Sequence, residues 1–416
     1  MVAEMKGKSK LCLQVEKDLQ WLSQFGADTK KGVTRLLYSP EWYAAQEALK
    51  EKMTQNQLTA YYDDVGNLYG RLQGIEEEHK TILVGSHVDT VVYGGKYDGA
   101  FGIIAGLIAV EYLRETHGMP KQSIEVVSLC EEEGSRFPLT YWGSGNIVGL
   151  YNSENISQEI KDRENIPLKK AMERYQFGKG HYKKPFRKDI SHFIELHIEQ
   201  GEQLEKKQLD IGVVSSIAGQ KRFTVTVQGE SNHAGTTPMT HRKDALAASC
   251  RFITALLDMS EKYGEKLYTT VGKLDVSPNV PNVIPGKVSF SIDIRHGEDG
   301  VLDKVEDEMN VILKEVGIHA GVTTEIHRWM NEKPVQMDNY LSEISKNISE
   351  EKNISYMKMV SGAGHDSQVF GRKLPTCLLF VPSENGISHS PKEYTSAEQL
   401  EKGIQVLIEL LYKLAY

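Results

Sequence analysis

The sequence predicts an α/β protein in which a main domain, with a mixed, mostly parallel sheet flanked by helices, contains an inserted ferredoxin-like α+β domain. Three observations support this prediction. The chain has 416 residues, which exceeds the size at which one hydrophobic core usually stops growing. Near the N-terminus, short apolar runs alternate with helical segments. Between about residues 214 and 328, a different strand and helix order interrupts this pattern.

The N-terminal region has the pattern of a βαβ unit. Helical periodicity covers Leu11–Phe25 and Glu41–Thr54. Thr81–Gly85 and Ile124–Leu129 are short apolar runs rich in β-branched residues, which are typical of buried parallel strands. The apolar helical stretch GIIAGLIAVEYLRE lies between them. Ligands of open α/β sheets bind at the carboxyl ends of such strands, so we expect the functional residues there.

The inserted domain follows a βαββαβ order. Two helices, Lys243–Ser260 and Gly300–Val316, separate the strands KRFTVTVQG, LYTTVGKLDV, VSFSIDIRH and GVTTEIHR. This order is typical of a ferredoxin-like unit. We therefore predict that residues 1–213 and 329–416 form the main domain and that residues 214–328 form the insertion. The last segment contains the strand CLLFV and an amphipathic helix over 396–414.

Composition and charge argue against several function classes. The net charge of −8, from 49 basic and 57 acidic residues, gives no sign of nucleic-acid binding. The four cysteines form no CxxC pair, which argues against a disulfide framework and fits a reducing compartment. The start of the chain lacks the long apolar stretch of a signal peptide, and no run approaches a membrane span. We expect a cytoplasmic protein without nucleic-acid or membrane partners.

Four stretches place histidines and carboxylates at strand ends or in glycine-bearing loops. They are GSHVDTVVYGGKYDG with His87, Asp89 and Asp98, CEEEGSRFP with Glu131–Glu133, IELHIEQG with His197, and GISHSP with His389. Three consecutive glutamates at a buried strand end would repel one another, and divalent cations remove that repulsion. A solvated acidic turn is the alternative. Imidazole with carboxylate and no thiolate suits Zn, Mn, Co or Ni.

A two-metal site would use this set of side chains well. Two metals roughly 3.5–4 Å apart can share a bridging carboxylate and lower the pKa of a water. A further carboxylate that is not bound to metal can take the water's proton and pass it to a leaving nitrogen. We expect two divalent ions per subunit, Zn or Mn, with Co or Ni as alternatives.

Five stretches in order resemble the M20-type metallohydrolases, specifically their amidohydrolase branch: GSHVDT…GGKYDG, EEEGSRF, ELHIEQG, GESNHAGTTPM and GISHSP. That branch contains allantoate amidohydrolases, N-carbamoyl-L-amino-acid hydrolases and β-ureidopropionases. The resemblance runs over nearly the whole chain. It implies a catalytic α/β domain with an inserted dimerisation (lid) domain and a homodimer formed through that insertion. M20 peptidases typically carry a different carboxylate at the position of His197, so HIEQG indicates the carbamoyl- and ureido-hydrolysing group.

The resemblance also implies roles for the candidate metal ligands. His87 would bind one metal, and His197 would complete that site. His389 would bind the second metal, and Asp98 would bridge both. Glu133 would be a further metal ligand.

Three other acidic residues have different implied roles. Glu132 is similar to the general base of the family. Asp89 resembles the partner that orients the imidazole of His87, although a simple turn residue is the alternative. We interpret Glu131 as structural.

The implied substrate contacts lie partly in the inserted domain. There, His233 matches the family histidine that reaches a partner subunit's active site and stabilises the oxyanion. Asn282 and Arg295 resemble the pair that binds the substrate carboxylate. Gln200 and His365, in HIEQG and SGAGHDSQ, are further candidate substrate contacts. For His365, a structural role is the alternative.

The predicted reaction is hydrolysis of a linear ureido or carbamoyl C–N bond with release of ammonia. We favour allantoate as the substrate because EEEGSRF and SGAGHDSQ look closer to allantoate amidohydrolases than to carbamoylases. N-carbamoyl-L-amino acids and β-ureidopropionate are the alternatives. A non-catalytic ureide- or metal-binding protein is a remote alternative. It would require the general base to be missing, whereas Glu132 is present.

Overall fold

The structure is a computed structural model, and it describes residues 9–29 and 32–416. The start of the predicted first segment, residues 1–8, lies outside the described residues. The chain forms two compact units. The first unit comprises the chain up to Ser215 together with Met337–Met359 and His365–Tyr416.

The second unit comprises Ser216–Gln336 and Val360–Gly364. It extends further toward the C-terminus than the insertion that we predict from the sequence.

The secondary structure of the described residues consists mainly of strands β1–β13 and helices α1–α11. The strands are β1 (Thr59–Tyr62), β2 (Leu68–Leu72), β3 (Glu77–His87), β4 (Gln122–Leu129), β5 (Ile190–Ile198), β6 (Ile211–Ile217), β7 (Gly219–Gln228), β8 (Tyr268–Ser277), β9 (Lys287–His296), β10 (Thr323–Glu332), β11 (Val335–Gln336), β12 (Tyr356–Ser361) and β13 (Thr376–Val381). The helices are α1 (Lys10–Leu22), α2 (Pro40–Gln55), α3 (Ala100–His117), α4 (Trp142–Ile147), α5 (Leu168–Arg174), α6 (Gln203–Lys207), α7 (Ala245–Glu261), α8 (Asp299–Ala320), α9 (Asn339–Glu351), α10 (Asp366–Gly371) and α11 (Ala397–Ala415).

The large sheet has a parallel centre and antiparallel edges. Its strand order is β1-β2-β4-β3-β5-β13-β6-β11, and β12 also pairs with β6. The four central strands β4, β3, β5 and β13 are parallel to one another. The predicted α/β class with a mixed sheet is therefore confirmed for the part of the chain described here, with parallel pairs between the four central strands and antiparallel pairs toward both edges. The carboxyl ends of these four strands lie at one edge of the sheet.

Both faces of this sheet are buried. On β3, Ile82 and Val84 contribute to one hydrophobic cluster, while Leu83 contributes to another on the opposite face. Successive side chains of a strand point to opposite faces, so continuous apolar runs are expected where helices cover both. Polar caps begin several of the helices. Ser396, for example, forms a capping box with Gln399 at the start of α11.

The second unit contains a four-stranded antiparallel sheet in the order β10-β7-β9-β8. Its six main elements follow one another as βαββαβ, as predicted for a ferredoxin-like unit. Alternate residues of β7, including Phe223 and Val225, pack with Phe290 of β9 against helices α7 and α8. Their neighbours, such as Arg222, are polar and lie on the other face.

Candidate metal centre

Four adjacent parallel strands bring the candidate residues to one edge of the sheet. His87 is the last residue of β3, and His197 is the second-last residue of β5. Glu131–Glu133 follow β4, and His389 lies in the loop after β13. This is the edge at which open α/β sheets bind their ligands.

Asp98 lies at the centre of this cluster, one residue before the N-cap of α3. Its Oδ1 atom is 3.3 Å from Nε2 of His87 and 3.1 Å from Nε2 of His197. Its Oδ2 atom is 3.2 Å from Nε2 of His389. That imidazole nitrogen lies 3.4 Å from Oε1 of Glu133. The carboxylate of Asp98 therefore faces two groups of donors. Its Oδ1 atom faces His87 and His197, and its Oδ2 atom faces His389, which lies beside Glu133.

The donor atoms of each group lie within 4.8 Å of one another. One group contains His87, Asp98 and His197, and the other contains Asp98, Glu133 and His389. A third group of the same compactness joins His87 and Glu133 with Glu132, the predicted general base. All five predicted metal ligands thus come together among the described residues.

The histidine contacts test whether cations fit this arrangement. Nδ1 of His87 lies 3.1 Å from the backbone oxygen of Asp89, and Nδ1 of His197 lies 2.9 Å from that of Ile198. If each Nδ1–H donates to its carbonyl, each Nε2 carries a lone pair close to a carboxylate oxygen of Asp98, and that of His197 also accepts the backbone N–H of Gly99 at 3.1 Å. Two acceptors then face each other, and a cation between them removes the repulsion. The His/carboxylate set fits divalent ions of the zinc and manganese type.

The protonation equilibria of the site reflect close coupling of opposite charges. Burial disfavours the charged form of Asp98, but hydrogen bonds from His197, His389 and His87 outweigh it and hold the pKa of Asp98 well below its usual value. Burial also opposes protonation of His87, yet the carboxylates of Asp89 and Asp98 raise its pKa well above the usual value. The Asp98 carboxylate and the protonated imidazoles thus stabilise one another.

The loop after β4 is organised by Asp89. The backbone N–H groups of Glu132 and Glu133 donate to its two carboxylate oxygens, at 3.0 and 3.2 Å. Oδ1 of Asp89 also lies 3.3 Å from Nδ1 of His87. Asp89 therefore contacts both the first histidine and the glutamate loop. Glu131 is buried, and its carboxylate accepts the backbone N–H of Gly134 within the same loop.

Two neighbouring glutamates carry raised pKa values. Burial raises the pKa of Glu132 well above its usual value. Burial, followed by the nearby Asp98 carboxylate, raises the pKa of Glu133 to about 7. Both shifts favour the protonated carboxyl over the carboxylate.

Gln200 contacts the second donor group. Its side-chain amide donates to Oδ2 of Asp98 at 2.8 Å and lies 3.3 Å from Nε2 of His389. Gln200 and His389 both have positive φ angles, +57° and +53°. Such backbone strain in non-glycine residues is concentrated at functional sites. The use of Gln200 as a substrate contact stays a prediction.

Gly95 and Gly99 leave space for neighbouring side chains beside the loop that carries Asp98. A Cβ on Gly99, which has φ +62°, would lie 2.4 Å from the backbone oxygen of His87 and 2.5 Å from its Cε1. A Cβ on Gly95 would lie 2.1 Å from Oε1 of Glu393. These contacts give the glycines of this loop a definite role, which is to leave space for His87 and Glu393.

His365 lies behind the cluster. It is 2% exposed, and its ring packs edge-on against His197 with a centroid distance of 4.6 Å. Burial holds its pKa well below the usual value. Among the described residues, Nε2 of His365 has no hydrogen-bond partner. The structure thus supports the structural alternative for His365 at least as well as substrate contact, which stays untested.

The remaining predicted substrate residues lie in the second unit. Arg295 and Arg222 both contact the carboxylate of Asp293 and line a cavity of about 510 Å³. The exposed His233 accepts the backbone N–H of Gly235 at its Nδ1 atom, at 3.0 Å. Asn282, also exposed, accepts the N–H of Ala234 through its backbone oxygen.

The sequence did not reveal the role of Glu393. This glutamate is 5% exposed and accepts hydrogen bonds from the backbone N–H groups of Tyr97 and Asp98. The available signal was a carboxylate four residues after His389 in the same loop. Ser388 was also missed, although its hydroxyl lies 2.8 Å from Oε2 of Glu393.

Within the described part of the chain, no helix is both long enough and apolar enough to cross a membrane.

Comparisons with known proteins agree over nearly the whole chain. The model of peptidase family M20/M25/M40 matches residues 83–413. The allantoate amidohydrolase of Bacillus subtilis (strain 168) is 51% identical over 398 residues, covering 96% of both chains. That of Escherichia coli (strain K12) is 45% identical over 97% of this chain and 98% of its own.

More distant relatives have related activities. The N-carbamoyl-L-amino-acid amidohydrolase of Paenarthrobacter aurescens is 34% identical over 96% of this chain and 97% of its own. Among solved structures, an amidase of the hydantoinase/carbamoylase family from Burkholderia multivorans is similar with a TM-score of 0.91 and 30% identity. The match covers 97% of this chain and 98% of that one.

Proposed function

The chain belongs to peptidase family M20/M25/M40, and on that premise we propose that it is a two-metal amidohydrolase that cleaves a ureido C–N bond of allantoate. Asp98 carries the proposal, since one oxygen faces His87 and His197 while the other faces His389. A carboxylate in this position is suited to bridge two ions. In the proposed site, His87 and His197 hold one ion, and His389 and Glu133 hold the other.

Glu132 is the proposed proton carrier. When bound, the two ions supply Lewis acidity that polarises the substrate carbonyl and eases deprotonation of the attacking water. Glu132 accepts that proton and passes it to the departing nitrogen, so that ammonia leaves as a neutral molecule. Its buried position raises its pKa, which favours holding the proton between these two transfers.

Residues of the second unit are proposed to bind the substrate. Since Nδ1 of His233 accepts an N–H, its ring proton lies on Nε2, where it is available for donation to a developing oxyanion. Two arginines, Arg222 and Arg295, share one carboxylate, that of Asp293, so their cavity keeps an excess positive charge. This charge suits the carboxylate of the substrate, and Asn282 is proposed as a further contact to it.

Allantoate is favoured over N-carbamoyl-L-amino acids as the substrate. The similarity to the two allantoate amidohydrolases is greater than that to the carbamoylase. Both substrate classes combine a carboxylate with a ureido group, so the same chemistry serves each. N-carbamoyl-L-amino acids therefore remain the second candidate. We also propose that the protein works as a homodimer in the cytoplasm, where its four free cysteines would stay reduced.

A substrate comparison tests the proposal. Metal-free protein is loaded with Zn²⁺ or Mn²⁺, and ammonia release is measured with allantoate and with N-carbamoyl-L-methionine. We expect the higher kcat/KM for allantoate, and no activity in protein treated with a chelator. Activity on the carbamoyl compound alone would overturn the choice of substrate. Full activity without divalent ions would overturn the mechanism.

A further inference from the structure

One buried carboxylate connects the two loops that supply the second donor group. Oε1 of Glu393 accepts the backbone N–H groups of Tyr97 and Asp98, at 2.9 and 3.1 Å. Oε2 accepts the hydroxyl of Ser388 at 2.8 Å. Ser388 directly precedes His389, so Glu393 contacts both the loop of the bridging residue and the loop of the last histidine.

The same contacts extend to the carboxylate of Asp98. The Ser388 hydroxyl lies 3.2 Å from Oδ2 of Asp98, the oxygen that faces His389. Glu393 thus acts on Asp98 through its backbone and through Ser388. Gly95 leaves the space that Glu393 needs, because a Cβ there would lie 2.1 Å from Oε1.

The two donor groups depend on the carboxylate of Glu393 to different degrees. The Nδ1 atoms of His87 and His197 lie beside backbone oxygens of Asp89 and Ile198, close to the ends of strands β3 and β5. The side chain of His389 is half exposed, and this residue lies in a loop with φ +53°. Its position therefore depends more on the contacts of its loop.

We propose that Glu393 is a positioning residue that sets the second metal site, the one formed by Asp98, Glu133 and His389. It does so as an acceptor for three donors from the two loops. The first site shares Asp98 with the second, but its other donors, His87 and His197, lie at strand ends, so it depends less on Glu393. This inference rests on the proposed two-metal function.

Zn²⁺ titration of metal-free protein by calorimetry tests the assignment. Wild-type protein should bind two ions per chain. Glu393→Ala should bind one ion roughly 10- to 100-fold more weakly, as for other residues that orient metal ligands, and should weaken the other ion clearly less. Glu393→Gln retains an acceptor oxygen for the two N–H groups and should restore most of the lost affinity.

Two further variants separate positioning from folding. Ser388→Ala removes only the hydroxyl contact and should weaken the same ion selectively, even if Glu393→Ala does not fold. The exposed Glu384, in the same loop, gives the control Glu384→Ala, which should bind both ions normally.

Two results would overturn the inference. One is unchanged binding of both ions in Glu393→Ala and Ser388→Ala. The other is equal weakening of both ions, which would indicate a general structural role. If wild-type protein itself binds fewer than two ions, the two-metal function fails together with this inference.

Discussion

Glu132 and Glu133 are neighbours in sequence but have different surroundings. Oε1 of Glu133 lies 3.4 Å from Nε2 of His389, within the second donor group. Glu132 belongs to a compact group with His87 and Glu133, yet its proposed role is to move a proton. Asp89 accepts the backbone N–H groups of both glutamates, so one side chain holds the backbone from which both carboxyls extend.

Replacing Glu132 separates proton transfer from metal binding. Glu132→Gln should lower kcat roughly 10²- to 10⁴-fold, since the amide cannot accept the proton. Zn²⁺ content, measured by elemental analysis, should stay at two ions per chain. The exposed Glu164 provides the control Glu164→Gln, which should be fully active. Loss of one ion in Glu132→Gln would show instead that this residue is a ligand.

At the residue scale, strand ends and residue types were sufficient to predict the cluster. His87, His197 and the glutamates follow apolar runs, and parallel strands gather such positions at one edge. Glu393 was not predictable in this way. Its partners are backbone N–H groups up to 296 positions away in sequence. Almost every residue type has such a donor, so these contacts cannot be recognised from the sequence. The burial of His365 was likewise hidden by its glycine-rich surroundings.

At the element scale, helix α3 links the loop that carries Asp98 to the hydrophobic core. It begins after Gly99, which has φ +62°, and ends before Gly118, which has φ +80°. Both glycines have positive φ angles, which side-chain-bearing residues rarely adopt. The space around them differs, because a Cβ on Gly99 would meet His87, while one on Gly118 would meet nothing within 4 Å.

This difference gives a matched pair of variants. Gly118→Ala adds only backbone strain, roughly 1–3 kcal/mol of unfolding free energy. Gly99→Ala also adds backbone strain but in addition displaces His87, so it should weaken Zn²⁺ binding at least about tenfold. Thermal unfolding and Zn²⁺ titration measure the two effects. Equal metal affinity in the two variants would contradict the proposed packing of this loop around His87.

Much of the element pattern could be predicted from the sequence. The central helix and its two flanking strands have clear periodicity, and the structure extends them by a few residues. Strands β1 and β2 were not predicted because their short runs of aromatic and mixed residues lack a distinctive period. The position of β13 between β5 and β6 depends on pairing between distant segments, which local patterns do not specify.

At the scale of the whole molecule, the proposed chemistry is divided between the two units. The donor groups belong to the first unit, and His233 belongs to the second. The resemblance to the M20 amidohydrolases implies that His233 acts in the active site of a partner subunit. An active protein would then have to be at least a dimer.

Subunit complementation tests this dimer. His233→Ala and Glu132→Ala should each be nearly inactive alone. When they are co-expressed, mixed dimers contain one complete site, so activity should recover to about a quarter of the wild-type value for random pairing of a two-fold dimer. No recovery above the sum of the two single variants would show that His233 acts within its own chain.

The central claim is that Asp98 bridges two metal ions. Anomalous diffraction at the zinc edge from crystals of Zn²⁺-loaded protein tests it most directly. We predict two peaks roughly 3.5–4 Å apart, each about 2.0–2.2 Å from a different oxygen of Asp98. A single peak, or two peaks that do not share Asp98, would contradict the account.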